Sequence, residues 1–163
     1  MTTASSTKAP FFPPLDRNIL IALVLSGYVG LIAFDFFGQI LSPAAGFVEL
    51  APVALAEGVL TQIFGGASSG GAWVLHLLTG LLFYPLGYLF IARPIAQRVA
   101  PQSPWWIVGI VYGAVIWAWA VGVMAPFAGW PAFIGWTEFT WVALVGHLLF
   151  GGVAAGAIRW HLG

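Results

Sequence analysis

The chain contains no cysteine, and its 163 residues include only five Lys or Arg and five Asp or Glu. Without cysteine there is no disulfide, no thiolate metal site and no Cys nucleophile. Charged residues make up 6% of the chain, against about 25% in a soluble domain. That is too few to wet a globular surface. The net charge is zero, so no long-range attraction to nucleic acid is expected. Nucleotide loops, nucleophile triads and zinc-protease motifs are also missing.

What is there is apolar. Hydrophobic residues reach 61% and the mean hydropathy is +0.98. Four long apolar runs are readable: Asn18 to Leu41, Gly71 to Ala92, Trp105 to Ala128 and Phe139 to Ile158. A helix needs about 20 such residues to cross the hydrocarbon core. The expected fold is therefore all-α, an integral membrane four-helix bundle. Residues 1–17 are expected to form a flexible arm, and residues 18–163 the four-span transmembrane domain. The first run exceeds the apolar stretch of a signal peptide, about 7–15 residues, and is expected to be retained. The lipid bilayer is the first partner implied.

Charge sets the expected orientation. Lys8 and Arg17 precede the first run, Arg93 and Arg98 separate the second from the third, and Arg159 follows the fourth. The other two connections carry no Lys or Arg. Positive charge stays inside, which predicts a multi-pass protein of the bacterial inner membrane with both termini cytoplasmic. Seven of the nine tryptophans, Trp73 and Trp130 among them, sit near predicted span boundaries, where amphipathic rings favour the headgroup level.

The first outer connection, Ser42 to Gly70, is long. Within it Val53 to Phe64 has Leu55, Val59, Leu60 and Ile63 at helical spacings. This predicts a short interfacial helix, a re-entrant segment being the alternative. Arg93 to Pro104 and Gly129 to Glu138 are the other connections. Pro85 and Pro126 are expected to kink or end their helices. Pro43-Ala-Ala-Gly-Phe47 resembles Pro126-Phe-Ala-Gly-Trp130, and His76-Leu-Leu-Thr-Gly80 resembles His147-Leu-Leu-Phe-Gly151. The shared order suggests two like helical hairpins, with chance matching of common residues as the plain alternative.

An ionisable group inside a membrane is costly and asks for a reason. The candidates are Asp35, His76 and His147. Two imidazoles on facing helices can ligate a haem iron, so His76 and His147 are candidate ligands for haem b or another metal. Gly80 and Gly151, four positions on, are expected to make room for a flat macrocycle. The two histidines lie 17 and 12 residues before Arg93 and Arg159, a depth mismatch of about 7 Å. The plain reading is that each histidine hydrogen-bonds a neighbouring helix or interfacial water. Asp35 is read first as wetted at the interface, with Gln39 one turn away. It could instead orient a histidine or join a metal site. Gly109-x-x-x-Gly113 and Gly152-x-x-x-Gly156 match the small-xxx-small pattern of close helix contact.

The second half, Gly122 to Ile158, resembles a family of small four-span bacterial inner-membrane proteins of unknown function. The match rests on Met124-Ala-Pro126 and on Gly146-His147-Leu148-Leu149-Phe150-Gly151. The resemblance implies a four-span fold and draws interest to the histidines; it implies no activity. The expected function is a small non-catalytic accessory subunit packing against other subunits of a larger membrane assembly, electron-transport or photosynthetic. A haem or metal electron-transfer protein is the alternative from another class, and a small carrier or channel is the third.

Overall fold

The structure, a computed structural model, describes residues 12–163. Lys8, Phe11 and most of the predicted arm lie outside the described residues. Four helices are long and apolar enough to cross a membrane: α1 (Arg17–Ala44), α3 (Ser69–Val99), α4 (Trp105–Phe127) and α5 (Glu138–Leu162). A shorter helix, α2 (Pro52–Phe64), stands between the first two. There are no strands among the described residues. The expected all-α bundle is the observed fold, and the predicted short helix starts one residue earlier than its pattern suggested.

Local chemistry sets the helix ends. The Asp16 carboxylate accepts from the Ile19 amide at 2.9 Å and opens α1, and Ser68 Oγ accepts from the Gly71 amide at 3.1 Å and opens α3. Each side chain satisfies one amide that the first helical turn leaves without a carbonyl. α3 corrects the expected boundary. It passes Ala92 and continues to Val99, so the predicted Arg93 to Pro104 connection shrinks to residues 100–104.

The prolines neither break α3 nor bend the chain at random. Four π-helical turns cover Phe37–Leu41, Thr79–Phe83, Tyr88–Ala92 and Ala120–Met124. Each stops two residues before a proline: Pro43, Pro85, Pro94 or Pro126. A proline ring collides with the carbonyl four residues back. Here the amide just before each proline bonds five residues back instead. Ser42 donates to Phe37, Tyr84 to Thr79, Arg93 to Tyr88 and Ala125 to Ala120. The widened turn gives the ring space. The helix does not end at Pro85, whereas α4 ends one residue after Pro126.

The two segments paired by sequence share one local structure. Gly46 and Gly129 both adopt the left-handed conformation, φ 88° and 87°. Phe47 donates to the Ser42 carbonyl at 3.0 Å, and Trp130 to the Ala125 carbonyl at 2.9 Å. A glycine is needed at this position because a Cβ would strain it.

In lipid the hydrophobic effect does not drive helices together, so close packing must. Helix α5 sits centrally and runs antiparallel to α1 and α4. At the α4–α5 crossing, Gly109 and Gly113 face the backbone of His147, Leu148 and Gly151. The partner motif on α5 is Gly151-x-x-x-Ala155: a Cβ on Gly109 would lie 2.6 Å from the Ala155 methyl. Gly152 has no neighbour within 4 Å, which corrects half of the expected Gly152-x-x-x-Gly156 contact. Helix α3 leans on α1, where Gly27 meets the Leu81 backbone. It meets α4 chiefly between Tyr84 and Ala92, where the Tyr112 hydroxyl donates to the Tyr84 carbonyl at 2.6 Å. Towards the α2 end the two helices part.

The connection before α5 carries stored strain. Phe133, Ile134 and Trp136 all have positive φ, 49°, 48° and 57°, at a cost of about 1–2 kcal/mol per residue. The Thr140 hydroxyl, donating to the Phe133 carbonyl, and the Phe133–Trp136 ring stack at 4.5 Å hold the turn.

Candidate functional site

The gap between α3 and α4 is a chamber of about 550 Å³, within the usual 300–1,000 Å³ of ligand sites. Leu31 and Phe34 of α1 and Ala143, His147 and Phe150 of α5 form its back. The Leu75–Tyr84 stretch of α3 and Trp119–Met124 of α4 form its sides. Two of the proline-induced π turns lie in those sides. Helix α2 roofs it with Leu55, Ala56, Val59 and Ile63, bridging the first turns of α3 and the last turn of α4. Gly58 makes the bridge close, since a Cβ there would lie 2.9 Å from the Ala128 methyl. The amphipathic pattern that predicted α2 thus faces the bundle.

The loop behind the roof is pinned to α1. The Leu50 amide donates to the Gly38 carbonyl at 2.9 Å, and Ser42 Oγ donates to the Val48 carbonyl at 2.8 Å. Gly38 lies in a π turn. The turn shifts its bonding, and Leu50 takes up the carbonyl. Leu50 then extends over Gly38 and Gly146 into the chamber wall.

Among the described residues no Asp, Glu, Lys or Arg lines the chamber; its polar residues are His76, Thr79, Tyr84 and His147. The Thr79 hydroxyl is occupied by the Leu75 carbonyl at 2.8 Å. The two histidines therefore do reach one space, as the haem reading requires. Counted from the α2 ends of their helices they stand seven and nine residues in (76 − 69 = 7, 147 − 138 = 9). The offset is about 3 Å, smaller than the 7 Å expected, because Arg93 stands 24 residues from that end of its helix and Arg159 only 21 from its own (93 − 69 = 24, 159 − 138 = 21).

Their bonding separates them. His76 is 9% exposed and its Nε2 lies 3.0 and 3.1 Å from the two oxygens of Asp35. A carboxylate can only accept, so Nε2 carries the proton and donates. Asp35 also accepts from Gln39 Nε2 at 2.9 Å and stays 27% exposed. The second reading of Asp35 holds: it orients a histidine. His147 is 6% exposed, and its Nδ1 donates to the Ala143 carbonyl one turn back at 2.7 Å. That fixes the tautomer and leaves Nε2 with a lone pair. The ring also stands edge-on to Phe34, centroids 4.8 Å apart.

The glycines expected to seat a macrocycle are filled. A Cβ on Gly80 would lie 2.5 Å from Leu31 Cδ1, and one on Gly151 would collide with Gly109 and Gly113. Ligation of iron by both Nε2 atoms would also require His76 to release Asp35. Among the described residues no group of three His, Cys, Asp or Glu side chains stands close enough to hold a metal ion, so Asp35, His76 and His147 do not form one ligand set.

Sequence reasoning missed Tyr84. Its ring stands 6.3 Å from that of His147, and it lines the chamber. Among the described residues its hydroxyl has no hydrogen-bond partner. A phenol in mid-span, eight residues after His76 and so about two turns along the same face, was the available signal.

No family model, curated protein or solved structure matches the chain, so the functional argument rests on these residues.

Proposed function

We propose that this is a non-catalytic component of the bacterial inner membrane that holds a lipophilic molecule in the chamber beneath α2. The observation that carries this reading is the chamber itself: about 550 Å³, walled almost wholly by apolar side chains, with no charged residue among the described residues of its lining. A close-packed bundle of four helices would leave no such space. Here α3 and α4 meet at one end only, and α2 spans the gap that remains. The connections between the described helices are short. Chemistry on the guest is therefore the task of a partner, and the protein serves as an accessory subunit of a larger membrane assembly. Both termini are cytoplasmic, from the charge asymmetry, so the chamber lies in the outer half of the bilayer.

Purification from native membranes in mild detergent tests this. A co-purifying lipophile is expected, detected by extraction and mass spectrometry, together with stoichiometric protein partners. Ala56→Trp, which drives a large ring inward from the buried face of α2, is expected to remove at least nine-tenths of the lipophile. Undiminished lipophile in that variant defeats the chamber reading. For orientation, single cysteines at Ser68 and Thr137 are expected to react with an impermeant thiol reagent on intact cells, and one at Gln102 to be protected. The reverse pattern inverts the topology.

A further inference from the structure

The geometry points to a hydroxyl-headed, uncharged lipophile as the guest, such as a quinol or a diacylglycerol, with its O–H donated to His147 Nε2. This deepens the chamber reading and rests on it. His147 is all but buried in the chamber wall. Its Nδ1 proton is committed to the Ala143 carbonyl at 2.7 Å, so the imidazole offers the chamber an acceptor. Among the described residues nothing donates to that acceptor. An acceptor that faces an apolar chamber without a donor is poorly solvated, and a guest that supplies the donor satisfies it.

The neighbouring Tyr84 hydroxyl is a donor without a partner. It suits a second oxygen on the same head. Acceptor and donor in the lining of one chamber match a group that both gives and takes a hydrogen bond, as an alcohol or phenol does. Among the described residues no Lys or Arg in the lining answers a phosphate or carboxylate, which disfavours anionic heads on desolvation cost. The second histidine gives its Nε2 proton to Asp35, which leaves Nδ1 as its own acceptor; a preference that survives His147→Phe would assign the head to His76 instead. The remaining walls, Leu31, Phe83, Trp119 and Val121 among them, are apolar and suit a tail.

The test compares hydroxyl with methyl ether. Decyl-hydroquinone and its dimethyl ether form one arm; dioleoylglycerol and its methyl ether form the other. Each is titrated into purified full-length protein in phosphatidylcholine nanodiscs, with Kd from equilibrium partition of labelled compound. The wild type is expected to bind one hydroxyl compound about tenfold more tightly than its ether, one hydrogen bond's worth in an apolar site; the arm that shows the difference names the source. His147→Phe is expected to bring alcohol and ether to equal affinity while the ether's own Kd holds, which shows the chamber still formed. His147→Gln, which restores an acceptor, is expected to recover most of the preference. Equal Kd for alcohol and ether in the wild type overturns the inference but leaves the chamber reading standing. A preference that survives His147→Phe also overturns it. Failure of all four compounds to bind overturns both.

Discussion

His76-Leu-Leu-Thr-Gly80 and His147-Leu-Leu-Phe-Gly151 differ by one letter in five, yet the two segments do different work. His76 reaches sideways to α1 and binds Asp35, itself tied to Gln39 and partly exposed. It closes a polar link between two helices. His147 turns back on its own helix, bonds the Ala143 carbonyl and keeps its other nitrogen for the chamber. The glycines diverge likewise. Gly80 receives the flexible end of Leu31, whereas Gly151 meets bare backbone from α4. Near-identical local sequence, π-helical from Thr79 in one segment and α-helical throughout in the other, leaves the role of each residue to what stands opposite. Opposite His76 is a carboxylate. Opposite His147 is an apolar space.

The largest expected effect comes from the glycines. Gly151→Ala pushes a methyl into the Gly109–Gly113 backbone, which cannot turn aside, and is expected to cost about 2–3 kcal/mol. Gly80→Ala meets a leucine end that can rotate, and is expected to cost less than about 1 kcal/mol. Reversible unfolding in mixed micelles measures both. Equal losses would mean that the two crossings are alike after all.

The histidines sharpen the contrast at a smaller scale. A double-mutant cycle of His76→Ala with Asp35→Ala is expected to give a coupling of about 0.6 kcal/mol, and not above about 1.7, the range of interhelical hydrogen bonds in membranes. The cycle of His147→Ala with Asp35→Ala is expected to give zero within error. A coupling in the second cycle would join the two sites that the structure separates.

The smallest effect is expected beside the largest. Gly152→Ala changes the residue next to Gly151, within a formal Gly-x-x-x-Gly motif, yet its Cβ would meet nothing within 4 Å. A change below about 0.5 kcal/mol is expected. A loss comparable to that of Gly151→Ala would restore the motif that the sequence suggested.

Sequence alone determined the four spans, because apolar length is a property of each segment by itself and a bilayer admits few other solutions. It determined α2 from helical spacing, and the matching ends at Gly46 and Gly129, where a proline and a left-handed glycine dictate the turn whatever surrounds them. It also singled out Asp35, His76 and His147, since a polar group in an apolar run is conspicuous without any structure. Only the tertiary structure decided what these groups touch. The distances that matter join residues 41 apart in sequence, Asp35 and His76, or sit at crossings whose rotation no periodicity states. The same holds for α3, whose continuation to Val99 depended on π turns that absorb Pro85 and Pro94. It holds above all for the chamber, because a cavity is the absence of contact between α3 and α4, and it belongs to no single segment of the chain.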